Sequence, residues 1–128
     1  MNSIKIQKIG ITDLDTDAIV NAANEGLWAG GGDNKEPQML YGAYRRSLEL
    51  ALENGCHSIG FPLISAGIFG YPKDKAWRKA IQACNDFFQK NSDADLQVVF
   101  AVLDDGILSL GQQTLEEIAP QYGVKNTI

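Results

Sequence analysis

Two stretches of this chain combine residue types and spacing that invite chemistry: the glycine-bearing SAGIFG at 65 to 70, and the asparagine pair of NAAN at 21 to 24, which opens into NEGLWAGGGDN at 24 to 34. In SAGIFG, Gly67 and Gly70 permit positive φ or a close backbone approach, and peptide N–H groups in such a turn hold a phosphate without any basic side chain. The helix expected from Lys73 would aim its N-terminal dipole at the same place. A side chain at Gly67 would intrude on the anion, and Phe69 offers an apolar face to a sugar or base. A glycine-rich turn is a weak signal by itself, and the plainer alternative is that these glycines only turn the chain. The Asn24 amide can donate to and accept from a sugar hydroxyl, whereas Asn21 reads as a strand-end residue satisfying backbone groups. Asp33, Asp104 and Asp105 read first as turn residues, with catalysis or base recognition second. His57 has no Ser, Cys or metal partner at a diagnostic spacing and reads as structural, and Ser65 in ISAG lacks the first glycine of a GxSxG elbow, which disfavours a serine hydrolase. Trp28 suits either a core or a lid.

The elements that must position these residues follow from hydrophobic periodicity. Residues 4 to 9 place Ile4, Ile6 and Ile9 among Lys5, Gln7 and Lys8, a partly alternating strand with one wetter face. DAIVNAA at 17 to 23, HSIGFPLI at 57 to 64 and LQVVFAVL at 96 to 103 are short apolar runs of the kind buried parallel strands show. From Glu36 to Asn54, the positions Met39, Leu40, Ala43, Leu48, Ala51 and Leu52 recur at helical spacing, and Gly55 stands where a left-handed cap would end the helix. A second helix is expected from Lys73 to Lys90, with Ala76, Trp77, Ala80, Ile81, Cys84, Phe87 and Phe88 on one face. DDGILSLG at 104 to 111 opens with a DDG turn at 104 to 106, and a helix is expected around Gln112 to Ala119, which Pro120 breaks. Alternating strands and helices imply right-handed βαβ units and a mostly parallel sheet of about four strands, with ligands at the carboxyl ends of the strands. Both glycine loops and the DDG turn follow strands.

Composition bounds the partners. A chain of 128 residues, 45% hydrophobic and 21% charged, suits one folded domain over 1–128. The formal net charge of -5 argues against a nucleic-acid polymer, whose binding relies on Lys and Arg neutralising phosphates. No apolar run is long enough to span a membrane, and the opening MNSIKIQKIG is unlike a secretory signal, so a cytoplasmic protein is expected. Cys56 and Cys84 lie far apart in apolar patterns, as buried reduced thiols do, and neither a metal nor another cofactor is implied.

Three segments in order, TDAIVNAAN at 16 to 24, AYRRSLELALENGCHSIGFPLISAGIFGYPKDKA at 43 to 76 and VVFAVLDD at 98 to 105, closely resemble the macrodomain family, whose members bind ADP-ribose or process ADP-ribose 1″-phosphate. That resemblance implies a three-layer α/β/α fold. It also implies that Ser65, Ala66, Gly67, Ile68, Phe69 and Gly70 surround a diphosphate, with Phe69 beside the distal ribose, Asn24 on ribose hydroxyls, and Ile11, Leu103 and Asp104 along the adenosine half. Two departures stand out. Gly10 replaces the aspartate with which the family usually holds the adenine amino group, and a segment after NAAN carrying a helix start and two strands is absent. Gly30, Gly31 and Gly32 would then be a remnant of the family's first glycine loop, with Asp33 or Asn34 near its catalytic position, or LWAGGGDNKEPQML would match a later stretch and the first phosphate loop would be gone.

The resulting expectation is a module binding ADP-ribose or a related nucleotide diphosphate. The alternatives are an ADP-ribosyl hydrolase using Asn24 and Asp33, and a degenerate domain kept for protein association. Loss of the two strands would leave the strand at 17 to 23 as an open edge, through which two chains could pair.

Overall fold

Apolar side chains repeating every three to four residues gather on one stripe of a helix, and that stripe must be buried. The second helix shows this most plainly. In the computed structural model, which describes residues 1–20, 36–64 and 71–123, it runs Lys73–Lys90 and buries Ala76, Trp77, Ala80, Ile81, Ala83, Cys84, Phe87 and Phe88. It is α2 of three: α1 is Glu36–Glu53 and α3 is Asp105–Ile118. Four strands accompany them, β1 (Ser3–Lys8), β2 (Ala18–Ile19), β3 (Ser58–Pro62) and β4 (Gln97–Val102).

The strands form one sheet in the order β1-β4-β3-β2, every pairing parallel. In register, Ile6 lies beside Phe100 and Phe100 beside Phe61, while Ile4, Val98 and Ile59 form the row below. All six are buried on the face that receives the helices. Tyr44 of α1 meets Phe61 and Phe100 edge-on with ring centroids 5.0 and 5.9 Å apart, and Trp77 of α2 meets Phe100 at 5.2 Å. A Cβ on Gly111 of α3 would lie 2.6 Å from the Trp77 ring, so α3 packs flush against the indole. Full burial of each phenylalanine in this layer contributes about 1.5–3 kcal/mol.

The opposite face carries Lys5, Val99, Gly60 and Ile19 in one row. After β1 the chain makes a 3-10 turn, Ile11–Asp13, and crosses this face over β3. It arrives at the amino edge, where the Asp17 N–H donates to Ser58 Oγ at 2.8 Å and Asp17 Oδ2 accepts the His57 N–H at 2.7 Å. The crossing depends on Gly60: a Cβ there would stand 2.6 Å from Leu14 Cδ1 and 3.0 Å from Thr16 Oγ1. His57 therefore works at the end of the sheet remote from the loops that follow the strands.

The α/β sheet of four parallel strands matches the sequence expectation, as do the limits of α2 and the left-handed Gly55 (φ 70) that closes α1. The stripe of α1 differs in membership. Leu40, Ala43, Tyr44, Leu48 and Ala51 are buried, whereas Leu52 is exposed and Met39 only half-buried. The third helix corrects the expectation of a DDG turn at 104 to 106 and a helix only from around Gln112, because α3 begins at Asp105. Asp104 is its N-cap, with Oδ1 accepting the Ile107 N–H at 2.9 Å, and such a cap offsets the low helix propensity of Gly106 and Gly111. The strand expected over 17 to 23 is described only to residue 20, where the Val20 N–H extends the pairing to the Gly60 carbonyl at 2.9 Å.

Candidate functional site

Parallel strands end together, so the order β1-β4-β3 sets the segments after Lys8, Val102 and Pro62 side by side, with β4 in the middle. The β1–β4 ladder continues to the rim through the Ile9 N–H, which donates to the Val102 carbonyl at 3.1 Å. Beyond it, Asp13 N–H closes on the Gly10 carbonyl at 2.9 Å, fixing Ile11 within a 3-10 turn. Ile11 Cδ1 lies 3.7 Å from the position a Gly60 Cβ would take, so this residue lies on the sheet face opposite the three described helices, at the carboxyl rim. The carboxyl group of Asp13 fills space beside Gly10: its Oδ2 is 3.1 Å from a Cβ built there.

From β4 the chain passes through Leu103 to the Asp104 cap. Leu103 is 74% exposed, a large apolar side chain held out at the rim. Lys8 Nζ pairs with Asp105 Oδ1 at 3.0 Å across the same rim, an exposed ion pair that stabilises little. The first turns of α2 and α3 are tied together, because Trp77 Nε1 donates to the Ile107 carbonyl at 3.0 Å. Pro72 stands at the N-cap of α2, and its carbonyl accepts the Ala76 N–H at 3.0 Å as the helix begins.

The structure thus brings Ile11, Leu103 and Asp104 to one edge. Asn24, Gly31, Gly32 and Asp33 lie outside the described residues, as do Ser65, Ala66, Gly67, Ile68, Phe69 and Gly70. The flanks of the second group are described: Ile64 is buried at the exit of β3, and Tyr71 and Pro72 lead into α2. Sequence reasoning missed Tyr44, whose hydroxyl receives the Ile64 N–H at 2.7 Å. The available signal was a tyrosine inside an otherwise aliphatic helical stripe. A groove of about 680 Å³ runs elsewhere, along β1 and α3 between Ile4, Lys8, Leu108, Gln112 and Glu116, and Ile11, Leu103 and Asp104 do not line it. Among the described residues no three His, Cys, Asp or Glu side chains gather in a way that would hold a metal ion.

A parallel α/β sheet whose carboxyl rim gathers the segments that follow β1, β4 and β3 belongs to the open α/β class, in which ligands sit at the carboxyl ends of the strands. Within that class the match is specific. The Macro domain family model covers residues 6–80, more than half of the chain, and the chain belongs to this family. It is similar to the O-acetyl-ADP-ribose deacetylase of Cronobacter sakazakii, with 40% identity over 111 residues, 87% of this chain and 60% of that protein. The macrodomain of Trypanosoma brucei, solved in complex with ADP-ribose, superposes with a TM-score of 0.74 at 27% identity, covering 88% of this chain and 68% of that one. The Oceanobacillus iheyensis macrodomain with ADP shares the fold at TM-score 0.76 and 23% identity, over 91% of each chain. The chain spans about 60% of the length of the curated deacetylase it matches. Among the described residues no helix is long and apolar enough to cross a membrane.

Proposed function

We propose that this domain binds ADP-ribose at the carboxyl rim of its sheet. In this reading Ser65, Ala66, Gly67, Ile68, Phe69 and Gly70 surround the diphosphate, Asn24 reaches the distal ribose, and Ile11, Leu103 and Asp104 border the adenosine half. The supporting observation is the convergence of β1, β4 and β3 on one rim in a chain of the Macro domain family, a relative of which holds ADP-ribose. The chemistry agrees with the acidity of the chain: neutral peptide dipoles and a helix start hold a diphosphate without a basic patch. Asp104 commits one carboxylate oxygen to capping α3 and keeps the other for a donor on the ligand. Calorimetry with ADP-ribose tests this directly. Saturable binding that is abolished by Gly67→Glu, which fills and charges the anion site, is the expected outcome; no heat and no thermal shift at millimolar ligand refutes it.

A second reading, hydrolysis, is favoured by similarity to a protein named as a deacetylase. Here Asn24 holds the distal ribose while water attacks the ester or the anomeric carbon, assisted by Asp33 or by a phosphate of the substrate. Acetate or ADP-ribose release that disappears in Asn24→Ala establishes turnover, whereas intact binding without release leaves a binding module. Two chains are further proposed to pair through the β2 side of the sheet, supported by the place of Ala18–Ile19 at the end of the strand order and by Ile19, 47% exposed. Monomeric sedimentation at high concentration excludes that pairing. The free thiols Cys56 and Cys84 suit a cytoplasmic location.

A further inference from the structure

The hydroxyl of Tyr44 is a polar atom placed in an aromatic interior. The ring is fully buried between Phe61 and Phe100, and a phenylalanine would make the same edge-to-face contacts. What the hydroxyl adds is confined to main-chain groups at one place: it accepts the Ile64 N–H at 2.7 Å and donates to the Pro62 carbonyl at 3.4 Å. Those two groups flank the point where β3 ends. Pro62 is the last residue of the strand and has no N–H for a further rung. Ile64 has already left the ladder and is buried. A buried amide without a partner is costly, so the hydroxyl over-determines the direction in which the chain leaves the sheet. Ser65 follows at once.

We infer that Tyr44 is a positioning residue for ligand binding: from the middle of α1 its hydroxyl fixes the β3 exit at Ile64, the described residue next to the proposed diphosphate segment. The inference rests on the proposal that residues 65–70 surround the diphosphate. Burial holds the Tyr44 phenol far above its ordinary pKa, so it remains neutral, and able both to donate and to accept, wherever the protein is folded. Tyr41, three positions earlier on the same helix, supplies the contrast. Its hydroxyl bonds to Asp86 on α2, which joins two helices and touches no strand exit.

The test compares Tyr44→Phe and Tyr41→Phe by calorimetric titration with ADP-ribose, at a temperature where both variants are fully folded. Loss of one well-made hydrogen bond from the loop anchor should weaken ADP-ribose binding about tenfold in Tyr44→Phe. Tyr41→Phe should stay within about twofold of the wild type, since hydrogen bonds far from the loop leave the binding geometry alone. A folded Tyr44→Phe protein of unchanged affinity overturns the inference, because a purely structural hydroxyl would alter the melting temperature and nothing else. Absence of binding by the wild type refutes the ADP-ribose proposal itself and removes this inference with it. Should Tyr44→Phe not fold, the wild-type protein still decides: saturation with ADP-ribose must shift the Ile64 amide resonance, and an unmoved Ile64 amide refutes the inference.

Discussion

Replacing Gly60 by alanine perturbs the crossing of residues 11–16 over the sheet face opposite the described helices. The new Cβ would stand 2.6 Å from Leu14 Cδ1 and 3.0 Å from Thr16 Oγ1. The leucine contact is with the far end of a flexible side chain and can be relieved by rotation. The threonine contact is harder to relieve, because Thr16 Oγ1 donates to the Ala18 carbonyl at 2.8 Å and sets the entry to β2. Overpacking of this kind costs about 1–3 kcal/mol, against a gain of about 0.5–1 kcal/mol from restricting a strand glycine, and the middle of the two ranges leaves a net destabilisation of about 1.2 kcal/mol. Unfolding of a 128-residue chain carries about 270 cal/mol/K, so the melting midpoint should fall by about 4–5 °C. Urea denaturation should show a lower midpoint with an unchanged slope. Because Ile11 lies on the displaced segment, affinity for ADP-ribose should fall in parallel. An unchanged or raised midpoint would mean that residues 10–16 do not lie on β3, and the placement of Ile11 at the rim would fail with it.

Asp104→Ala should destabilise the protein by about 1 kcal/mol through loss of the α3 cap, with Asp104→Asn retaining most of it, as melting curves will show. The raised pKa of Tyr44 has a definite sign. A phenol whose folded pKa lies above its unfolded value stabilises the fold below about pH 10 and loses that contribution as pH rises further. Absorbance titration at alkaline pH should therefore show Tyr44 ionising only together with unfolding, and a phenolate at that position in the native protein would contradict its burial. Burial likewise pushes the Cys84 thiol up, so a disulfide reagent should label Cys84 only at the rate of unfolding; rapid native labelling of both cysteines would show that α2 does not seal the core.

Elements whose buried stripe is continuous were legible in the sequence. The limits of α2 follow from seven apolar positions at helical spacing between a proline and an asparagine, all of them buried, and β4 from an uninterrupted apolar run. The start of α3 was hidden because two glycines interrupt its first turns. Its stability comes from a cap and from packing of Gly111 under Trp77, a tertiary contact that no local pattern expresses. The passage over Gly60 was hidden for a similar reason, since the glycine serves a segment more than forty positions away. Of the proposed site, strand-then-glycine order pointed to the carboxyl rim, and the structure gathers Ile11, Leu103 and Asp104 at that edge. Tyr44 was not legible, because a hydroxyl that serves the backbone of another element leaves no periodic trace.

Binding at the carboxyl rim is tested most directly by amide chemical-shift mapping of the labelled protein during titration with ADP-ribose. The predicted result is saturable shifts concentrated at residues 9–12, 64–70 and 103–106, with Asn2, His57 and Asp95 at the opposite edge unmoved. No shifts at millimolar ligand, or shifts confined to the groove between β1 and α3, would contradict it.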